Sequence, residues 1–232
     1  MKKISISNLG ILLFCEYKIY LQYVKKFPQP ATVAMIKGRA EHKKLNDKHI
    51  KKKVMVKKVI EAIKDSDIPE EEKQAKIKKI TKEELNTDRE QKVEGERIRG
   101  RMDKIKFLSN DVIFITDDKP HDVAYEGDKM QAFGYCMAYQ QQHNDALIKK
   151  YPTGVSFRAG IYNYKTNTLI WEEDYTHEVE IKLNKLIDRL AGIMDETITA
   201  QPTTNYNKCS YCNMRKKCDR QPVNDIDRML HL

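Results

Sequence analysis

The most informative stretch of the chain is Val112-Ile113-Phe114-Ile115-Thr116-Asp117-Asp118-Lys119. Its first five residues are nearly all apolar, which is typical of a short buried strand. Residues 97–107 alternate apolar and polar side chains, so they predict a second strand before it. A helix is predicted after it, from about residue 127 to 142. This order predicts a sheet that is covered by helices.

Three charged side chains lie near the ends of these two strands. Asp117 and Lys119 are two positions apart, so their side chains leave the same face of an extended segment. In a hairpin, Asp103 of the preceding strand would sit beside Asp117, and both would face one cavity. Because carboxylate oxygens are the ligands that Mg²⁺ and Mn²⁺ prefer, the pattern favours a divalent metal site beside Lys119.

A metal site of this kind suits phosphodiester hydrolysis. The ion neutralises a phosphate and lowers the pKa of a bound water, and a lysine orients that water or stabilises charge on the phosphoryl group. The alternative is a pair of surface acids at a strand end, because charged residues make up 33% of the chain. The apolar strand before Asp117 and the helix after it favour the metal site.

Two further motifs supply polar groups to the same candidate site. Gln131 and Tyr135 are spaced i, i+4 and share one face of the predicted helix. His42 follows Gly38-Arg39-Ala40-Glu41 on another predicted helix, and its imidazole is a candidate metal ligand. The alternative for His42 is a purely structural role.

The five cysteines point to a second metal centre. Their odd number, with no secretory signal, argues against a disulfide framework. Cys209, Cys212 and Cys218 form a C-x2-C-x5-C pattern, and Cys15 on the predicted first helix is the candidate fourth ligand. Cys136 is expected to be an ordinary buried thiol. Four thiolates suit either Zn²⁺ or an iron–sulfur cluster, and the spacing leaves both open.

The charge distribution indicates a polyanionic partner. The chain has 232 residues and a net charge of +9, and residues 43–60 hold eight lysines against one acid, Asp47. This stretch is either a surface that follows phosphates or a solvated helix face. The longest run near the N-terminus without a charged or strongly polar side chain, residues 9–15, is far shorter than the roughly 20 residues of a membrane span. We expect a cytoplasmic protein without membrane contact.

The predicted elements describe a single α/β domain over residues 1–232. Helices are predicted over 7–25, from about 32 through the lysine-rich stretch, over 61–92 with an interruption at Pro69, and over 179–198. Strands are predicted over 155–164 and 169–173. Residues 43–92 form a basic helical lobe within the domain, and residues 201–220 form a cysteine-rich tail.

Taken together, these motifs resemble those of the CRISPR-associated RecB-like exonucleases that carry a four-cysteine iron–sulfur cluster, the fourth family of Cas proteins. The chain is also similar to AddB- and RecB-type nuclease domains of the PD-(D/E)xK superfamily. The motifs that agree in order and rough spacing are Ser7…Phe14-Cys15…Tyr20-Leu21, Gly38…His42, Gly100-Arg101-Met102-Asp103, Asp117-Asp118-Lys119, Gln131…Tyr135 and Cys209…Cys212…Cys218.

The resemblance implies a mixed central sheet flanked by helices, with a cluster-bearing tail packed on the N-terminal helix. It also implies a nuclease that cleaves single-stranded DNA, often 5′→3′, beside CRISPR integrase proteins. His42, Asp103 and Asp117 would hold Mn²⁺ or Mg²⁺, and Lys119 would be the catalytic lysine. Gln131 and Tyr135 would position DNA. A [4Fe–4S] cluster would be held by Cys15, Cys209, Cys212 and Cys218.

One departure and three alternatives accompany the resemblance. Asp117 stands where many members have Glu, which moves the chain toward the wider RecB-like group. The first alternative is a non-catalytic DNA-binding or complex-assembly protein, and the second is a nuclease of DNA repair or of a mobile element. The third is a protein in which a zinc ion joins the N-terminal helix to the C-terminal tail.

The chain lacks a G-x4-G-K-[ST] phosphate loop, so any unwinding would come from a helicase partner. Association of several copies of this chain into a homo-oligomer is a further partner hypothesis.

Overall fold

The computed structural model describes residues 3–81, 86–108 and 111–222. A mixed sheet of six strands lies at the centre, in the order β1-β3-β4-β5-β6, and β2 pairs with β3. The strands are Ile4–Ser5 (β1), Thr87–Glu94 (β2), Ile98–Phe107 (β3), Val112–Lys119 (β4), Ser156–Asn163 (β5) and Thr168–Asp174 (β6). The β1–β3 and β4–β5 pairs are parallel, and the other pairs are antiparallel.

Helices cover the sheet and extend beyond it. They are Ser7–Phe14 (α1), Glu16–Tyr23 (α2), Val33–Lys64 (α3), Glu70–Ile80 (α4), Glu126–Lys150 (α5), His177–Met194 (α6) and Tyr206–Ser210 (α7). The long helix α5 packs across β2, β3, β4 and β5 and against α1 and α6. This arrangement confirms the predicted mixed α/β fold with a central sheet flanked by helices.

The core lies between α5 and the sheet. Its largest fully buried side chains come from both layers: Ile6, Leu9, Ile98, Met102, Ile105, Ile113, Ile115, Phe133 and Met137. Each side chain of this size contributes about 1.5–3 kcal/mol when it leaves water. The apolar residues of β4 are therefore buried, as the sequence predicts, and they fix the strand that carries Asp117 in the middle of the sheet.

The sheet forks between β3 and β4. The two strands pair from Phe107–Ile113 to Lys104–Thr116, and beyond that point β4 continues along β5 to the Lys119–Asn163 pair. The first residues past the fork are Asp103 on β3 and Asp117 on β4. The fork therefore opens a gap in the sheet at the two carboxylates.

Two predicted elements differ from the structure. The prediction of a helix over 61–92 is wrong for residues 87–92, which belong to β2, and its residues 82–85 lie outside the described part of the chain. Pairing with the free edge of β3 outweighs the polar, charged composition of this segment. The predicted helix over 7–25 is two helices, because the backbone of Cys15 is extended, with φ −169° and ψ 116°.

The helices α3 and α4 form a basic arm. None of the residues of these two helices, all of which are described, is buried. The arm joins the body along β2, where Lys53 forms an ion pair with Asp88. The stability of the arm therefore depends on helix propensity and on contact between the two helices. The Thr32 side chain also caps α3, because it accepts a hydrogen bond from the Met35 amide at 3.2 Å.

The C-terminal tail packs on α1 and α2. Arg189 of α6 and the amide of Gln201 both donate to the Glu16 carboxylate, at 2.6–2.9 Å. The Lys208 ammonium donates to the Leu13 carbonyl at 3.2 Å, and the Tyr17 hydroxyl donates to Asp219 at 2.6 Å. Within the residues given above, no helix has both the length and the apolar character that crossing a membrane requires.

Candidate active site and cysteine-lined cavity

The fork places two carboxylates in contact. Asp103 and Asp117 are 6% and 3% exposed, and they are the first residues beyond the end of the β3–β4 pair. The Asp118 amide donates to Asp103 Oδ2 at 2.7 Å, which fixes the Asp103 carboxylate against β4. Burial raises the pKa of Asp117 to about 7, and Asp103 adds to this effect although Lys119 opposes it. A divalent cation would remove the repulsion between the two groups.

The basic arm brings His42 to the fork. Its Nδ1 lies 2.9 Å from Asp103 Oδ1. The hydrogen bond to Asp103 raises the pKa of His42 to about 9, and the charges of Asp118 and Glu90 act in the same direction. His42 and Asp103 therefore come together as the sequence predicts, although they are about 60 residues apart in the chain.

Glu90 completes this group, and the sequence analysis missed it. The residue has a φ of +54°, and it lies on β2 between the Arg89–Lys104 and Gln91–Met102 pairs. Positive φ is uncommon for a residue other than glycine and is often found at functional sites. Glu90 Oε1 is buried, has no hydrogen-bond partner among the described residues, and lies 3.6 Å from His42 Nδ1.

Metal ligation would satisfy this cluster. Ligand atoms of His42, Glu90 and Asp103 all lie within 4.8 Å of one another. One imidazole nitrogen and several carboxylate oxygens form a donor set that suits Mg²⁺ or Mn²⁺. The unpartnered Glu90 oxygen and the neighbouring buried acids Asp103 and Asp117 fit a bound cation. The residues present therefore fit a divalent ion held by His42, Glu90 and Asp103, and the predicted ligand Asp117 lies beside this group and not within it.

Lys119 occupies the other side of the same cleft. Its Nζ lies 2.7 Å from Asp117 Oδ2 and 3.2 Å from Asp128 Oδ1. It also donates to Gln131 Oε1 at 3.3 Å, and Gln131 Nε2 donates to the Tyr135 hydroxyl at 2.9 Å. Burial opposes protonation of Lys119, but the two carboxylates outweigh it and raise the pKa of the amine. Lys119 is therefore a fixed cation.

Asp128 is a second residue that the sequence analysis missed. It lies on the first turn of α5, and its Oδ2 is 3.5 Å from His121 Nε2. Asp128 therefore joins Asp117 in pairing with the Lys119 ammonium. Its position three residues before Gln131 places both on one helix face, and this spacing is the signal that could have identified it.

A single cleft of about 890 Å³ contains the predicted site. Its lining includes all six residues predicted for the catalytic and metal site, namely His42, Asp103, Asp117, Lys119, Gln131 and Tyr135. Gly100 allows the close approach of Tyr135, because a Cβ there would lie 2.8 Å from Tyr135 Cε1. The cleft is bordered by the cationic residues Arg39, Lys43 and Arg101.

The four remaining predicted residues meet at a separate small cavity. Cys15, Cys209, Cys212 and Cys218 line it together. Burial and the neighbouring thiols raise the pKa of Cys209 and of Cys218. Lys18 and Arg215 also line the cavity, so they could offset the charge of thiolates. Four converging thiols with cations beside them fit a metal centre.

Cys136 does not belong to this group. It is fully buried in α5, and its Sγ lies 3.9 Å from the Arg158 carbonyl. Burial raises the pKa of this thiol. Cys136 is therefore part of the core, as expected from the sequence.

Without a bound metal, we expect the stability of the protein to fall as the pH rises from 6.5 to 9. The folded pKa of His42, about 9, exceeds the ordinary histidine value of 6.5, so the folded state holds a proton that the unfolded state releases. This contribution is complete below pH 6.5 and lost above pH 9. Thermal denaturation in EDTA at several pH values measures it. His42→Gln should make the dependence shallower, and an unchanged slope would contradict the assignment.

The comparison with protein families agrees with this geometry. The model of the PD-(D/E)XK nuclease superfamily matches residues 3–219. The search of curated proteins gives no significant match. Among solved structures, SSO0001 is 12% identical, with a TM-score of 0.44 over 95% of this chain and 87% of the other. A candidate exonuclease from Eubacterium rectale is 10% identical, with a TM-score of 0.45 over 99% and 94%. The family match covers nearly the whole chain, and the chain therefore belongs to the PD-(D/E)XK nuclease superfamily.

Proposed function

We propose that the protein is a divalent-metal-dependent nuclease that hydrolyses phosphodiester bonds of single-stranded DNA. The observation that carries the proposal is the cleft in which the group His42, Glu90 and Asp103 faces the ammonium of Lys119. One side of this cleft supplies ligands for a cation, and the other supplies a fixed positive charge.

Each side chain has a distinct role in this proposal. His42, Glu90, Asp103 and Asp117 would hold Mg²⁺ or Mn²⁺, which supplies Lewis-acid activation of the phosphate and of a water. Lys119 stabilises negative charge that develops on the phosphoryl oxygens and orients the attacking water. Lys119 is positioned by Asp128 and Gln131, and Gln131 is held in turn by Tyr135.

DNA as the substrate is supported by the charge around the cleft. The basic arm that carries His42 also carries the eight lysines of residues 43–60, which would follow the phosphates of a strand. Cleavage in the 5′→3′ direction, and a role beside CRISPR integrase proteins, rest on the motif resemblance alone. A nuclease of DNA repair or of a mobile element would use the same site.

The second candidate function is a non-catalytic DNA-binding or assembly protein. The basic arm favours it, because that surface would bind DNA whether or not the cleft hydrolyses it. The two functions differ in a single assay with end-labelled single-stranded DNA. A nuclease shortens the strand with Mn²⁺ and not with EDTA, whereas a binding protein retards the strand in both conditions without shortening it.

We further propose that Cys15, Cys209, Cys212 and Cys218 hold a [4Fe–4S] cluster with a structural role. Lys18 and Arg215 line the cavity beside the thiols and would offset part of the negative charge of four thiolates. The resemblance of the cysteine motif favours a cluster over one zinc ion.

Anaerobically purified protein is expected to be brown, to absorb near 400 nm and to contain iron. Cys212→Ser should remove most of the iron and lower the melting temperature, because the cofactor links α1 and α2 to the tail. Cys136→Ser is the matched control, and iron content should stay unchanged there. Stoichiometric zinc without iron in the anaerobic preparation would contradict the cluster.

A further inference from the structure

A second cavity adjoins the active-site cleft, and we call it the α1–α5 groove. It has a volume of about 700 Å³ and lies between α1 and the beginning of α5. Ser7 and Gln131 line both the groove and the cleft, so the two form one continuous surface. Asp128 also lines the groove. The two α5 side chains that contact Lys119 therefore form the wall between the groove and the reacting centre.

The groove combines an aromatic mouth with an apolar wall. Tyr125 is 58% exposed, and its ring meets the His121 ring edge-on with centroids 5.1 Å apart. The Tyr125 side chain makes no capping hydrogen bond to α5. Ile11, Leu13 and Phe14 of α1 line the opposite side. A flat, partly apolar group fits between these two sides.

The charges of the groove favour an anionic ligand. Its two carboxylates already face cations, because Glu126 pairs with Lys182 and Asp128 lies 3.2 Å from Lys119 Nζ. Two more lysines line the end near the cysteine cavity. Lys18 and Lys208 lie 5.5 and 5.9 Å from the centroid of the Phe14 ring. The lysines that line the groove, Lys18 and Lys208, therefore leave it a net positive charge once its carboxylates are paired.

We propose that the α1–α5 groove binds one unpaired nucleotide next to the scissile phosphate, with its base against Tyr125 and its outer phosphate toward Lys18 and Lys208. The inference rests on the proposed nuclease function, and it explains why that nuclease would prefer single strands. Only an unstacked base reaches an aromatic ring in a groove, and such stacking tolerates every base. The strand preference would then come from the groove and not from the metal site.

The test measures base stacking in the full-length protein with EDTA present, so that the strand stays intact. Short single strands carry the fluorescent base 2-aminopurine at one position at a time. We expect binding to quench the fluorescence at one or two positions. Tyr125→Ala should abolish the quenching and weaken affinity about tenfold, the effect of one base–aromatic stack, whereas Tyr125→Phe should retain both.

Ile148→Ala provides the control for general effects on α5. Ile148 is 63% exposed near the other end of the same helix, and this variant should bind and quench as the wild type does. An abasic residue at the quenched position should weaken binding by the wild type and leave the Tyr125→Ala variant unaffected. An equal loss in both proteins, or wild-type affinity in Tyr125→Ala, would overturn the proposal.

The groove and the nuclease proposal fail in different ways. Tyr125-dependent quenching in a protein that does not cleave DNA with Mn²⁺ would support the groove and contradict the nuclease. Cleavage by a protein in which Tyr125→Ala changes neither quenching nor affinity would support the nuclease and contradict the groove.

Discussion

Lys119→Ala is expected to reduce the cleavage rate of single-stranded DNA by about 10³-fold, equivalent to about 4 kcal/mol of transition-state stabilisation. Three polar groups, Asp117, Asp128 and Gln131, hold the ammonium in the cleft. Single-turnover kinetics with Mn²⁺ would measure the change. Because Lys119 acts on the reacting phosphate and does not bind the metal, saturating Mn²⁺ should not restore the rate.

Two controls separate this effect from unfolding. Lys149→Ala removes an exposed lysine from the end of α5 and should cleave at the wild-type rate. The affinity of Lys119→Ala for single-stranded DNA should stay within a few-fold of the wild type, because the basic arm is unchanged. A Lys119→Ala protein that is folded and cleaves at the wild-type rate would disprove the assigned site.

Glu90→Gln is expected to lower cleavage by about 10²-fold at limiting metal, equivalent to about 2.7 kcal/mol. The substitution preserves the shape of the side chain and removes the charge that faces His42 and Asp103. Because the missing group is a ligand, a higher Mn²⁺ concentration should restore part of the rate. This response distinguishes Glu90 from Lys119, and a titration of rate against Mn²⁺ concentration measures it.

Glu94→Gln is the matched control on the same strand. The Glu94 carboxylate pairs with Lys3 at 2.9 Å and does not line the cleft. This variant should have the wild-type dependence on Mn²⁺. If Glu90→Gln also shows the wild-type dependence, Glu90 is not a metal ligand, and the ion is held by the predicted residues alone.

The sequence predicts the pairing of β3 with β4 because its signals are local. The apolar run of β4 identifies a buried strand, and the alternation in β3 identifies its partner. Once the two strands pair, the side chains of Asp103 and Asp117 have to meet. The positions of Gln131 and Tyr135 follow from helix periodicity in the same way, and the structure places all four in one cleft.

Glu90 and the break at Cys15 could not be predicted in this way. The segment of β2 is almost entirely polar, so its strand conformation comes from the edge of β3 and not from its own pattern. The positive φ of Glu90 depends on that pairing. The extended backbone at Cys15 similarly accompanies a tertiary contact, since the Thr203 amide lies 3.4 Å from Cys15 Sγ.

The distance along the chain between Cys15 and the other three cysteines has a consequence for biosynthesis. Cys15 leaves the ribosome about 190 residues before Cys209. The proposed cofactor of all four thiols could therefore be inserted only after translation of the tail. Under that proposal, iron starvation would leave a full-length precursor that lacks the covalent link between its first and last segments, and this precursor would be the form most exposed to proteases.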